Sequence, residues 1–171
     1  MDYRRRRLEE RLSHQLALGL TVLLAALIQT ALLPAPFRAP LNLVLVGMVC
    51  WTIIEGPAQG ALIAFYGGLA LDILGFSAIG SHMLALLSIV ALTLLVIDRL
   101  PAENWMMALI LVGLFTPLYH IVVLLFAGGT EAWLDWARVV LSPAIVVNLL
   151  LTLPVLAIVR WWYERQRRQV N

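Results

Sequence analysis

Six apolar runs, divided by short breaks of proline, glycine and charge, constrain this chain more than any other feature of its sequence. They cover residues 16–33, 41–54, 58–74, 82–97, 105–127 and 139–159. A helix needs about 20 apolar residues to cross the hydrocarbon core of a bilayer. Within lipid, its amides must bond inside their own segment. The runs therefore predict an all-α fold, a polytopic bundle of six transmembrane helices that forms one domain over residues 1–171. Charged residues make up only 13% of the chain and hydrophobic ones 62%, too little charge to cover a soluble domain of this size.

The breaks suit the same plan. Pro34, Pro36 and Pro40 turn the chain after the first run, which reads as a retained helix because it is too long for a secretory signal. Glu55-Gly56-Pro57 ends the second run, with Pro57 placed for the first turn of the next helix. Residues 75–81 form a tight turn, residues 98–104 a polar loop and residues 128–138 the longest loop. There Thr130 is expected to cap a short surface helix that lays Trp133 and Trp136 toward lipid. The run 41–54 is short, and fits either a crossing of a thinned bilayer or a re-entrant hairpin with the third.

All twelve basic residues are arginine, and their placement sets an orientation. With six crossings, Arg4, Arg5, Arg6, Arg7, Arg11, Arg99, Arg160, Arg165, Arg167 and Arg168 share one side with both termini, against Arg38 and Arg138 on the other. Cytoplasmic segments are the arginine-rich ones, so both termini are expected in the cytoplasm. An odd number of crossings would separate the two terminal clusters. Trp105, Trp133, Trp136, Trp161 and Trp162 fall at predicted helix ends, where indoles favour the headgroup level. The basic charge therefore points to membrane lipid rather than nucleic acid. Cys50, the lone cysteine, reads as a small buried apolar residue.

Some residues are more than apolar filling. Gly56, Gly60, Ala64 and Gly68 recur every four positions and lead to Asp72. Small residues on one helix face let another backbone approach, so the stripe serves packing within the bundle or docking of a partner helix. Asp72 is the one acid well inside an apolar run, which marks it for a dedicated role. It is expected close to His82 across the turn, with Ser77, Ser81 or the first amides of the fourth helix as alternative partners. Pro117, four residues after Gly113, predicts a kink in the fifth helix. Tyr119 and His120 follow one turn later, and Asn148 is expected to bond to a neighbouring helix. No phosphate loop, catalytic triad, HExxH motif or Cys/His cluster occurs in the sequence. His14, His82 and His120 are far apart and at different predicted depths. The expectation is no catalytic, cofactor or metal site.

The stretch from Gly60 to Gly80 gives the chain a resemblance. Gly68, Leu69 and Asp72 match the Gly-Leu-x-x-Asp motif of MreD, the bacterial rod shape-determining membrane protein family, and Gly80 matches that family's following glycine. Ala78 departs from it, standing where the family often has proline. Length, span pattern and terminal arginines extend the likeness over nearly the whole chain. The resemblance implies a non-enzymatic, multi-pass protein of the bacterial inner membrane that supports lateral peptidoglycan synthesis and cell-wall elongation. It implies MreC as partner, and RodA, a class B penicillin-binding transpeptidase, RodZ and MreB through the complex. It also implies a fold similar to the substrate-binding subunits of energy-coupling-factor vitamin transporters. Such a subunit is the alternative function. In this chain the Ala-x-x-x-Ala pair such subunits carry is only Ala31 and Ala35, straddling Pro34.

Overall fold

The computed structural model describes residues 2–32, 41–75, 78–97 and 105–170, with side-chain surroundings for 15–31, 41–75, 78–96 and 105–165. The proline turn after the first run, the 98–104 loop, Ser77, and the side chains of His14, Arg4, Arg5, Arg6, Arg7, Arg11, Arg167 and Arg168 lie outside the described residues.

Among the described residues all regular structure is helical. Helix α1 (Asp2–Leu27) passes into a π-helical turn (Ile28–Leu32). Helices α2 (Leu43–Glu55), α3 (Pro57–Leu74), α4 (Ser81–Ile97) and α5 (Trp105–Phe126) follow. A one-turn helix α6 (Trp133–Trp136) leads through a second π-helical turn (Ala137–Leu141) into α7 (Ser142–Val170). Pro57–Leu74, Trp105–Phe126 and Trp133–Arg165 are long and apolar enough to cross a membrane. Gln15–Ala31, Leu43–Glu55 and Ser81–Val96 are shorter apolar helices. This is the architecture of a helical membrane protein.

Helix α2 is the axis of the packing. It touches α3, α4, α5 and α7, and Leu45, Val46, Met48, Val49 and Cys50 are completely buried. A helix that is apolar all round belongs in an interior. At 13 residues it is about 20 Å long, shorter than a hydrocarbon core of about 30 Å. Its length is tolerable because protein, rather than lipid, surrounds its backbone. The outward faces of α1, α5 and α7 instead present Leu16, Leu20, Ile110, Leu114, Leu150 and Ile158, all more than 60% exposed or nearly so.

The last helix begins earlier than its hydropathy predicts. The sequence suggests a loop over 128–138, but the chain turns helical at Trp133 and Arg138 sits inside the π-helical turn. No glycine or proline interrupts residues 131–141, and Asp135 in the first turn favours the positive end of the helix. Thr130 does not cap this helix. Its hydroxyl accepts from the Ala132 amide at 3.2 Å, and Ala132 is the capping residue. Trp133 and Trp136 pack edge to face with ring centroids 6.0 Å apart.

Candidate functional site

Buried polar groups gather at one end of the bundle, where α3 turns into α4 and where α2 and α7 begin. Asp72 is the centre. It is 1% exposed, and an isolated carboxylate there would be costly. It accepts from Gly80 N at 2.8 Å, Ser81 Oγ at 3.1 Å and His82 N at 2.9 Å. The first amides of α4 point at it along the helix axis, which adds the favourable end of the helix dipole. Gly80 turns the chain to make this possible, with φ at +96°, a region open to glycine and strained for other residues. Asp72 and His82 therefore meet through the His82 amide. The imidazole turns away to Tyr119, with His82 Nδ1 and Tyr119 Oη 2.6 Å apart.

Tyr119 joins two histidines. Its ring lies 5.6 Å from that of His82, nearly parallel, and 5.2 Å from that of His120, edge on. The sequence sets His82 and His120 at different depths, and the structure brings both against one tyrosine. The two meet because α4 and α5 pack together, with His82 in the first turn of α4 and Tyr119 and His120 in the second half of α5. His120 Nδ1 lies 2.9 Å from the Thr116 carbonyl. A carbonyl can only accept, so Nδ1 carries the proton.

A second polar group starts α2. The first amides of a helix have no partner within it, and here three side chains supply them. Gln29, in the π-helical turn after α1, accepts from Val44 N at 3.3 Å. Asn42 accepts from Leu45 N at 2.9 Å. Asn148 on α7 accepts from the Asn42 amide at 2.9 Å and donates to Thr116 Oγ1 at 3.2 Å. Thr116 Oγ1 in turn donates to the Val112 carbonyl. This ties α2, α5 and α7 together through buried groups. Sequence reasoning reached Asn148 but missed Asn42 and Thr116. An asparagine directly before an apolar run is a helix-cap signal and could have found Asn42. Nothing local marks Thr116.

The small-residue stripe is used internally. A Cβ on Gly68 would lie 2.6 Å from Met83 N and closer still to Met83 Cα, so α3 and α4 touch backbone to backbone. A Cβ on Gly60 would collide with Thr52 Oγ1 of α2 and come within 3.0 Å of Thr52 Cβ. Ala64, between them, is completely buried. Gly56 forms the α2–α3 corner with φ at +95°. Gly67, outside the four-residue stripe, meets Val44 of α2 and Val22 of α1, the latter 3.0 Å from its Cβ position. The stripe thus packs against α2 and α4 within the bundle. Pro117 lies within α5, which continues to Phe126, and a Cβ on Gly113 would lie 3.5 Å from Leu149 Cδ2 of α7. Arg160 and Arg165 stand near the opposite end of the bundle, on the last turns of α7. Among the described residues no group of three or more His, Cys, Asp or Glu side chains could hold a metal.

A helical membrane protein whose one buried acid, among the described residues, fastens two helices together is the class that this fold and site define. The residues at that joint, Gly68, Leu69, Asp72 and Gly80, are those that carry the likeness noted in the sequence. The chain belongs to the MreD family: the family model described as rod shape-determining protein MreD matches residues 10–165. No curated protein and no solved structure matches it.

Proposed function

We propose that this chain is a non-enzymatic scaffold of the rod elongation complex, supporting lateral peptidoglycan synthesis by binding MreC. The family match over residues 10–165 carries the reading, since it ties the chain to rod-shape determination. The geometry agrees with it. Asp72 makes three hydrogen bonds within its own hairpin, which suits a carboxylate that holds shape. With the small-residue stripe closed against α2 and α4, MreC docks on outward faces of the bundle. RodA, the class B transpeptidase, RodZ and MreB are reached through the complex.

In this reading the chain crosses the bacterial inner membrane six times, in a bundle similar to energy-coupling-factor substrate-binding subunits. The three shorter apolar helices complete the crossings, and the arginine-rich termini lie in the cytoplasm. The Asp72 end then faces the periplasm. Two experiments test this. Co-purification with MreC is expected to fail for Gly68→Leu and Asp72→Leu, which disrupt the bundle that presents those faces. Normal complex and rod shape in both would remove the mechanism. Accessibility labelling is expected to find both termini on the cytoplasmic side, and opposite sides would refute the six crossings.

A further inference from the structure

We propose that the Arg165 end of the last helix is a binding surface for anionic phospholipid headgroups. Trp133–Arg165 is one helical rod of 33 residues, about 50 Å long at 1.5 Å per residue. A bilayer with its headgroups is about 40–45 Å thick. The rod therefore reaches headgroup depth at both ends, whichever way the chain is inserted. Trp133 and Trp136 mark one end and Trp161 and Trp162 the other.

The two ends differ in charge. Glu131 and Asp135 flank the first, with Arg138 as its only basic residue. The second carries Arg160 and Arg165, followed in sequence by Arg167 and Arg168, with Glu164 as the one acid. Along the exposed face of the second end, Ile158 (63% exposed) is followed by Trp161 (55%), Trp162 (49%) and the exposed Arg165. That order of hydrocarbon, indole and guanidinium repeats the layers of a leaflet: acyl chain, glycerol region and phosphate. Arg165 Cζ stands 4.7 Å from the centre of the Trp161 ring, an attraction that keeps the guanidinium at ring level. A guanidinium matches phosphate oxygens. A zwitterionic headgroup cancels its phosphate with an ammonium, so the net positive end selects anionic lipid.

The test is lipid retention by the full chain, taken from vesicles of equal phosphatidylglycerol and phosphatidylcholine into mild detergent and read by native mass spectrometry. Near a surface each arginine is worth about fivefold in affinity for anionic lipid. The unaltered protein should retain phosphatidylglycerol over phosphatidylcholine by at least that factor. Arg165→Gln should lower the preference several-fold, and Arg138→Gln, at the other end of the rod, should leave it unchanged. Equal retention of the two lipids by the unaltered protein would overturn the proposal, a reading that needs no variant to fold. So would an unchanged preference in Arg165→Gln, or an equal loss in Arg138→Gln.

Discussion

The two corners of α3 are built from similar parts and hold very differently. At its start, Glu55, Gly56 and Pro57 turn α2 into α3. There the acid accepts one hydrogen bond, from Trp51 Nε1 at 2.8 Å, and the tightly packed glycine one turn on, Gly60, lies against a threonine side chain. At its end, Asp72 collects donors from Gly80, Ser81 and His82, and Gly68 lies against the backbone of Met83. Both corners have a glycine at positive φ and an acid nearby. What separates them is the contacted atom. A side chain can be trimmed or turned, whereas a helix backbone moves only if the whole helix moves. The second corner should therefore be the rigid joint and the first an adjustable one.

Substitutions at matched positions would break or sharpen this contrast. The largest effect is expected for Gly68→Leu, which drives a side chain into α4. It should cost more than about 4 kcal/mol and leave little folded protein in a thermal melt followed by circular dichroism in detergent. Next comes Asp72→Leu. It strands two amides and a hydroxyl, each unsatisfied group costing about 1–3 kcal/mol, and the loss should be visible in the same melt. Gly60→Ala should cost less, about 1–3 kcal/mol as for overpacking in a tight core. Thr52→Ala should restore most of that loss, because contacting residues couple. A Gly60→Ala variant that Thr52→Ala does not rescue would show the first corner to be as rigid as the second. Glu55→Gln should be the mildest, within about 1 kcal/mol, since the amide oxygen still accepts from the Trp51 indole. An effect as large as that of Asp72→Leu would erase the distinction.

How much of this the sequence reveals depends on whether an interaction is local. Asp72 announces itself as an acid within an apolar run, and its donors lie 8 to 10 residues ahead, so chain order alone brings them near. The glycine stripe is equally legible as a four-residue period. Which neighbour each glycine meets is not, because Gly60 faces α2 while Gly68 faces α4. Counting by fours also passes over Gly67, which meets α1 and α2 together. The Asn42–Asn148 bond spans 106 residues, and the Asn148–Thr116 bond joins α7 to α5. Such pairs appear only once helix adjacency is known, and hydropathy cannot supply it. The meeting of His82 and His120 at Tyr119 is hidden for the same reason. The early start of the last helix was obscured because Glu131, Asp135 and Arg138 read as a polar loop, although nothing there prevents helical backbone.

The bonds around Asp72 also bear on how the protein is made. A ribosome feeding this chain into a membrane delivers the carboxylate before its donors at Gly80, Ser81 and His82 exist. Held in lipid on its own, α3 would present a carboxylate near the membrane surface, at a cost below the about 2.5–3.5 kcal/mol that insertion scales give an acid at the helix centre. That burden lifts only when Gly80, Ser81 and His82 emerge and α4 begins to coil. The insertion machinery should therefore release α3 and α4 together, as a preassembled pair, rather than one helix after the other.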